Sequence, residues 1–328
     1  MNTSYSNQSE HRPPLFSVII PVRNDTSHLR LTLAALAEQS LDEPFEVLVS
    51  DNGSDDDVAS AVADYHATLD LYVFDAAAAH GSYGARNVAL SQARGKYLAF
   101  TDADTVPTRE WLLELQRVFQ REGDDVLLGG HVEHLWRNKT PQITEIVDAQ
   151  RHLKQKTYVN HVGFAATANM AIARDHARRL GGFDENFRSG GDLLLGARAR
   201  AAGLQLIFVP EAIVKHRARH TIRSLLGKTG RVSRATRERC TAGFDEIAVR
   251  AELRKFFPRA VRTRLFHLDP PFRSHLDAVR GLLLHWLLDA YSAAVTLGLL
   301  NGGDDARQMS RNLPKKSSKD YFEREFDA

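Results

Sequence analysis

The 328-residue sequence predicts an α/β fold, in which helices flank a mostly parallel central sheet, followed by a helical and basic C-terminal segment. Two observations lead to this prediction. Over the first half of the chain, short apolar runs rich in Val, Ile and Phe alternate with stretches of helical periodicity, as expected for parallel strands joined by helices. Beyond Arg219 the pattern is helical and rich in Lys and Arg.

Four strands and four helices can be assigned in the first part of the chain. The strands are predicted over residues 16–22, 45–50, 71–74 and 96–101, and the helices over residues 29–38, 55–65 and 83–93, with a fourth beginning at Pro107. The apolar runs suit buried parallel strands. A proline suits the start of a helix because the N–H that it lacks would have no partner there.

After residue 124 the alternation becomes less regular. Strands are predicted over residues 126–132, 167–173, 206–209 and 213–215, and helices over residues 143–158 and 193–202. We find no internal repeat. We therefore expect a disordered tail at residues 1–14, a main domain over residues 15–218, a helical segment over residues 219–311 and a flexible tail at residues 312–328.

Composition is that of an ordinary globular protein, with 43% hydrophobic and 26% charged residues. The single cysteine, Cys240, excludes an internal disulfide framework and suits a reducing cytoplasm. The polar N-terminus lacks the apolar core of a signal peptide. We therefore expect a cytoplasmic protein.

The formal charge of +2 hides an uneven distribution. Residues 215–280 contain 17 Lys and Arg against 6 Asp and Glu, a balance of +11, which leaves −9 for the rest of the chain. Such a segment suggests an anionic partner, either a membrane surface, a phosphorylated acceptor or nucleic acid, although a solvated helical surface explains it equally well. Nucleic acid is the weakest alternative because the segment contains no recognised binding module.

One apolar stretch, residues 282–300, approaches the length of a membrane-spanning helix. His285 and Asp289 lie near its middle, one helical turn apart, and would be costly to bury in hydrocarbon. An amphipathic helix fits better, either docked on the protein or lying in a membrane interface. We therefore keep open a peripheral location at the inner face of the membrane.

Polar residues follow three of the predicted strands, at residues 21–24, 50–55 and 101–104. The carboxyl ends of parallel strands meet at one edge of a sheet, where ligands bind. Any one of these clusters is explained by an ordinary turn, since Asp, Asn and Gly are common turn residues. The three together predict a binding site at this edge.

The acidic pair Asp102 and Asp104 suggests a metal site. Mg²⁺ and Mn²⁺ prefer oxygen ligands and commonly link one or two carboxylates to the phosphates of a substrate. Two carboxylates, separated by Ala103 and placed directly after a strand, could hold such an ion. The ion would neutralise a diphosphate leaving group.

These motifs resemble, in their order and spacing, the family 2 inverting glycosyltransferases, which have the Rossmann-like GT-A fold. The resemblance extends over residues 15–235, and the block GSYGARNVALSQARGKYLAFTDADTVP is its most specific part. It implies metal-dependent transfer of a sugar, of the hexosyltransferase type and with inversion, from a nucleotide-diphosphate sugar. A UDP-sugar is the expected donor, and the acceptor would be a carbohydrate, a lipid-linked molecule or a small molecule.

The resemblance also implies roles for individual residues on the nucleotide side of the site. The residues matching Pro21, Val22 and Asn24 line the nucleoside pocket in this family, and the residue matching Asp51 contacts the base. Arg86 matches a position that helps to hold the donor, although packing of its aliphatic stem is the alternative explanation.

The metal site follows from the same resemblance. Asp102, Ala103 and Asp104 match the D-x-D motif that binds the donor phosphates and Mn²⁺ or Mg²⁺. Asp104 is the expected direct ligand and Asp102 assists it. His216 has the placement of a histidine that completes the coordination in some members, and an ordinary histidine at a strand end is the alternative.

The general base is assigned by the resemblance to Asp192. The family commonly has a Glu-Asp pair where this sequence has Gly191 and Asp192, so only the second carboxylate is present. A base near the acceptor oxygen is what the reaction requires. An N-cap role is the alternative for Asp192, and Asp184 and Glu185 are weaker candidates for the base.

Three other classes of protein can be compared with the sequence. A dinucleotide-binding oxidoreductase would need glycines after its first strand, and residues 21–25 contain none. A P-loop would need a glycine where Ile222 stands before Gly227, Lys228 and Thr229. The remaining alternative is a non-catalytic protein on the same fold that binds a nucleotide sugar or an anionic partner, favoured by Gly191.

Overall fold

The structure, a computed structural model, describes residues 12–243, 249–257 and 271–300. The predicted tail at 312–328 and residues 1–11 of the predicted N-terminal tail lie outside the described residues. One sheet contains the eight described strands: β1 (Phe16–Val22), β2 (Phe45–Asp51), β3 (Asp70–Asp75), β4 (Tyr97–Thr101), β5 (Thr105–Pro107), β6 (Val126–Leu135), β7 (Asn169–Ala173) and β8 (Gln205–Arg217). Their order is β3-β2-β1-β4-β7-β6-β8-β5.

Six of these strands run in one direction, while β5 and β7 are antiparallel to their neighbours. Helices lie along the sheet and beyond it: α1 (Thr26–Ala37), α2 (Val58–Ala63), α3 (Gly81–Gln92), α4 (Trp111–Glu122), α5 (Ile143–Arg151), α6 (Gln155–Thr157), α7 (Arg174–Arg179), α8 (Gly191–Ala201), α9 (Ile222–Thr241), α10 (Val249–Arg254) and α11 (His275–Thr296). The prediction of an α/β fold with a mostly parallel sheet is confirmed.

The two faces of the sheet support two apolar cores. Val18, Ile20 and Val47 pack on one face with side chains of α1 and α4, whereas Ile19 and Leu48 pack on the other face with side chains of α3 and α8. Successive residues of a strand point to opposite faces, so a strand buried on both sides must be apolar throughout. The predicted apolar runs have this origin.

The prediction that a helix begins at Pro107 is wrong. Residues 105–107 form the edge strand β5, in which Pro107 lies opposite Val214, and α4 begins only at Trp111. An edge strand tolerates proline because one side of the strand needs no hydrogen-bond donor.

The two strands predicted over residues 206–209 and 213–215 are one strand, β8. Val209 lies opposite Gly130 of β6, and Ile213 lies opposite the next residue, His131, so residues 210–212 form a bulge. Bulged residues interrupt the alternation of side chains along a strand. The single strand therefore looks like two in the sequence.

The helix predicted over residues 143–158 is interrupted. It ends at Arg151, Leu153 has a left-handed φ of 56°, and a π-helical turn follows over Tyr158–Val162. The buried Gln155 side chain bonds to the main chain of Ala166 and Asn169, which stabilises this interrupted path.

The C-terminal segment is helical where it is described, and α11 packs against α5 and α9. His285 donates a hydrogen bond to Gln150 over 2.7 Å, and Asp289 forms an ion pair with Arg151 over 2.8 Å. Both α11 side chains are buried by these contacts, which explains polar groups in the middle of an apolar stretch. None of the described helices is long and apolar enough to cross a membrane.

Candidate active site

A large cleft of about 1470 Å³ opens at the carboxyl ends of the parallel strands. Loops after β1, β2 and β4 line one side, and residues of α5, α9 and α11 line the other. The cleft brings together most of the predicted site residues: Pro21, Val22, Arg86, Asp102, Ala103, Asp104 and Asp192. The edge of the sheet predicted from three polar strand ends is therefore a concave site.

Buried threonines hold the acidic loop in place. Thr105 donates to the carbonyl of Asp102 over 2.8 Å, and its hydroxyl also bonds to that of Thr101. From α1, the Thr32 hydroxyl lies within hydrogen-bond distance of the carbonyls of Ala103 and Thr105. These bonds satisfy the buried main chain of the turn and present both carboxylates to the cleft.

His216 lies beside this acidic pair because β5 pairs with β8. Thr105 is opposite His216 in that pairing, and His216 Nε2 is 3.5 Å from Asp104 Oδ1. Asp102, Asp104 and His216 each offer one ligand atom, and these atoms lie within 4.8 Å of one another. The group has the composition and spacing of a divalent-metal site with open coordination positions.

The tautomer of His216 is compatible with metal binding. Its Nδ1 donates to the carbonyl of Arg217 over 2.8 Å, so in the neutral ring the hydrogen is on Nδ1 and the lone pair is on Nε2. Nε2 and the carboxylate of Asp104 then face each other as two acceptors. A cation between them would satisfy both groups.

Arg86 connects α3 with the acidic loop. Its side chain is 3% exposed, and its guanidinium forms a short ion pair with Asp102. The stem packs inside the protein while the charge holds one carboxylate of the acidic loop, and a role of Arg86 in holding the donor stays a prediction.

The nucleotide-side predictions divide into two groups. Pro21 and Val22 line the cleft, whereas Asn24 and Asp51 are engaged in the loops at its edge. Asn24 exchanges hydrogen bonds with Asp55, and Asp51 accepts one from the Ser54 N–H over 2.9 Å. The Asn24–Asp55 bonds tie the loop after β1 to the loop after β2, and the Asp51–Ser54 bond stabilises the latter loop.

Asp192 lines the cleft at the start of α8. Its carboxylate accepts hydrogen bonds from the Tyr83 hydroxyl over 3.1 Å and from the Leu193 N–H over 3.0 Å. Burial raises the pKa of Asp192 above that of an ordinary aspartate, and these hydrogen bonds offset only part of the rise. A carboxylate with a raised pKa accepts a proton more readily.

Position 191, where the resemblance led us to expect an acidic residue, is a glycine packed against Tyr83. A Cβ atom added to Gly191 would lie 2.9 Å from the ring of Tyr83, which is the partner of Asp192. Tyr83 thus fills the space that a side chain at position 191 would need. Tyr83 had no signal in the sequence beyond its place on a predicted helix.

The weaker base candidates lie elsewhere. Asp184 accepts a hydrogen bond from the Asn186 N–H within its own loop, and Glu185 accepts one from Asn87 over 2.9 Å. Neither is among the residues that line the cleft. Gly227, Lys228 and Thr229 lie within α9, so they do not form a phosphate-binding loop between a strand and a helix.

Several cations of the cleft were missed by the sequence analysis, and two of them lie close together on α9. Lys228 and Arg231 lie three residues apart on α9 and face the cleft. The sequence identified the basic segment but contained no signal for which of its many cations point inward.

Comparison with known proteins assigns the chain to a family. The family model described as Glycosyl transferase family 2 matches residues 17–181, about half of the chain. The chain belongs to this family. Glycosyltransferase AglE of Haloferax volcanii is 33% identical over 210 residues, which is 63% of this chain and 68% of that relative. The pre-mycofactocin glycosyltransferase of Mycobacterium tuberculosis is 28% identical over 65% of this chain, which spans only 44% of that protein.

Solved structures of similar fold agree with the family assignment. TarS 1-349 of S. aureus, in complex with UDP-GlcNAc, has a TM-score of 0.51 and 18% identity, covering 87% of this chain and 91% of its own. The mannosyltransferase PcManGT from Pyrobaculum calidifontis, in complex with GDP-Man and Mn²⁺, has a TM-score of 0.51 and 20% identity, covering 88% and 75%. This family 2 chain therefore has the GT-A fold that the resemblance implied.

Proposed function

We propose that the protein transfers a sugar from a nucleotide-diphosphate sugar to an acceptor hydroxyl, with inversion at the anomeric carbon and dependence on a divalent metal. One observation carries the proposal: Asp102 and Asp104, which lie beside the buried His216, line the same cleft as the carboxylate of Asp192. The first would hold the donor phosphates, and the second would receive the acceptor proton. A cleft with both parts suits group transfer between two bound substrates.

The metal site fits Mn²⁺ or Mg²⁺. Carboxylate oxygens are ligands for both ions, and an imidazole nitrogen favours Mn²⁺ over the harder Mg²⁺. Asp104 and His216 would be the direct ligands, with Asp102 oriented by Arg86 and assisting. When bound, the ion would stabilise the negative charge of the diphosphate leaving group.

The donor would lie across the carboxyl ends of β1 and β4. Pro21 and Val22 would contact the nucleoside, Asn24 and Asp51 would shape its pocket and contact the base, and the Asp102–Asp104 turn, including Ala103, would contact the diphosphate. The UDP-GlcNAc and GDP-Man complexes of the two solved relatives support a nucleotide sugar. We favour a UDP-sugar and a hexosyl group.

Asp192 would act as the general base in a single displacement. The acceptor hydroxyl oxygen forms a bond to the anomeric carbon as the bond from that carbon to the diphosphate oxygen breaks, and the hydroxyl proton moves to Asp192. Tyr83 and the Leu193 N–H would orient the carboxylate for this step. Because Tyr83 occupies the space beside Gly191, the absence of a second acid does not favour a protein that only binds.

The acceptor would be a carbohydrate, a lipid-linked molecule or a small molecule. A cytoplasmic location with peripheral contact at the inner face of a membrane would bring a lipid-linked acceptor within reach. The exposed basic residues of the C-terminal helices support such contact, because anionic lipid attracts them.

A screen of donors tests the proposal. UDP-, GDP- and dTDP-sugars with and without Mn²⁺ are added to the protein, and a ligand that binds the folded state raises the melting temperature. We expect stabilisation by one nucleotide class, larger with Mn²⁺. Stabilisation by no donor under either condition would contradict the proposal, and a product with retained anomeric configuration, measured by NMR coupling constants, would contradict the inversion.

A further inference from the structure

The α9 wall of the cleft carries three positive charges that the proposed chemistry does not use, Lys228, Arg231 and Arg239. Lys228 and Arg231 lie about one helical turn apart, so their side chains leave the helix in similar directions. Both line the cleft that also contains Asp102 and Asp192.

On the helical side of the cleft, these two cations have no hydrogen-bond or ion-pair partner in the described part of the chain. Arg151 is paired with Asp289, and Arg239 donates to the carbonyl of Ser189 over 3.0 Å. For Lys228 and Arg231, no hydrogen bond or ion pair with a described residue is present.

The surroundings make these unpaired charges costly. Burial and the nearby Arg219 together lower the pKa of Lys228 to about 7, although the carboxylates of Asp148 and Asp102 offset part of the shift. Arg231 is exposed to the cleft, and partial desolvation by the surrounding protein lowers its pKa, again with a contribution from Arg219. Placing the half-buried Lys228 beside two arginines is unfavourable unless an anion compensates for the charge, so the arrangement suits a protein that binds an anion there.

The location restricts what the anion is. Asp102 attracts both cations, which places them within electrostatic reach of the loop proposed to hold the donor phosphates. Arg231 is also close enough to Tyr83, the partner of Asp192, to interact with it. An anion held here would lie between the donor side and the base, where the two substrates meet.

We propose that Lys228 and Arg231 form a binding site for a phosphate group of a substrate. Lysine offers a compact positive charge, and the planar fork of arginine can donate two parallel hydrogen bonds to phosphate oxygens. The phosphate would belong either to the diphosphate of the donor or to a phosphorylated acceptor. This inference rests on the proposed function and adds to it a binding site for a substrate phosphate.

Calorimetric titrations of Lys228→Met and Arg231→Met test the site, with Arg223→Met as the matched control. Arg223 is an exposed cation on the same helix and does not line the cleft. In the donor arm, UDP and GDP are titrated with Mn²⁺ present. In the acceptor arm, inorganic phosphate is titrated into protein already saturated with the nucleotide that binds.

We expect each cleft variant to lose roughly tenfold in affinity in one arm, as for loss of a hydrogen bond to a charged group, and the control to lose none. Loss in the donor arm assigns the phosphate to the nucleotide, and loss in the acceptor arm assigns it to the acceptor. If the wild-type protein binds nucleotide but both variants match it within about twofold in both arms, the inference is wrong. If the wild-type protein binds no nucleotide, that result contradicts the proposed function itself, and it is distinct from the result that contradicts only this inference.

Melting temperatures without ligand separate a binding role from a structural one. Because methionine removes a desolvated charge and keeps the length of the side chain, Lys228→Met should melt at the same temperature as the wild-type protein or higher. A lowered melting temperature in both variants would mean that the cations stabilise the fold, which would contradict the proposal.

Discussion

Replacing Asp192 by asparagine removes the charge of the side chain and preserves its shape. The amide oxygen can still accept hydrogen bonds from the Tyr83 hydroxyl and the Leu193 N–H, which now bond to the carboxylate. The variant should therefore keep the geometry of the site. It cannot take a proton from an acceptor hydroxyl.

The expected effect is large on turnover and small on donor binding. Loss of a general base lowers kcat by roughly 10²–10⁴-fold, which corresponds to about 3–5 kcal/mol in activation free energy. The affinity for the nucleotide should stay within about threefold, because Asp192 lies on the α8 side of the cleft and the metal cluster lies on the β4–β5 side.

Unlike turnover, the stability of the folded protein should be unchanged or higher in Asp192→Asn. The folded state of the wild-type protein holds Asp192 with a raised pKa, so it binds more protons than the unfolded state as pH rises through that pKa. The wild-type protein loses stability over this pH range, and the asparagine variant does not. The variant should therefore melt at the same temperature or higher at pH 8.

Steady-state kinetics with saturating donor, nucleotide titrations and thermal melts measure the three quantities. Asp184→Asn is the matched comparison, since it removes a carboxylate from the loop before α8 that does not line the cleft. A kcat within about fivefold of wild type for Asp192→Asn would refute its role as the base. A large loss in Asp184→Asn alone would transfer that role to Asp184.

Three further predictions concern the metal, the fold and pH. His216→Gln should weaken Mn²⁺ binding by roughly tenfold or more, measured by electron paramagnetic resonance, and unchanged affinity would exclude it as a ligand. Asn169→Ala should lower the free energy of unfolding by roughly 2–5 kcal/mol in urea, because Trp111 Nε1 and the carbonyls of His131 and Ala212 lose their buried partner. The kcat should fall at acidic pH with a midpoint above the pKa of an ordinary aspartate, because burial raises the pKa of Asp192. This fall should be absent in Asp192→Asn, and an unchanged pH profile would assign the fall to another group.

The sequence predicted the sheet and the shared edge of its polar strand ends because both depend on local patterns. Apolar runs mark β1, β2 and β4, and the carboxylates of Asp102 and Asp104 follow the last of these directly. A parallel sheet brings such strand ends together wherever the intervening helices lie. The shared edge could therefore be predicted without coordinates.

Features that depend on distant pairing could not be predicted in this way. Pro107 suits both a helix start and an edge strand, so the β5–β8 pairing that places His216 beside Asp104 was not expected. His216 was identified only through the family resemblance. The inward direction of Lys228 and Arg231 depends on how α9 packs, which the basic composition of the segment does not determine.

The bulge in β8 has a consequence for changes in chain length. Residues 210–212 are three extra residues relative to β6, an odd number, so they reverse which side chains of β8 face each side of the sheet beyond that point. If the bulge keeps its three residues, deleting or inserting one residue there shifts the rest of β8 by one position and turns His216 to the opposite face. Lys215 or Arg217 would then lie beside Asp104, and a cation would replace a candidate ligand. A segment that looks like a loop able to accept insertions is thus a spacer whose length sets the chemistry of the cleft.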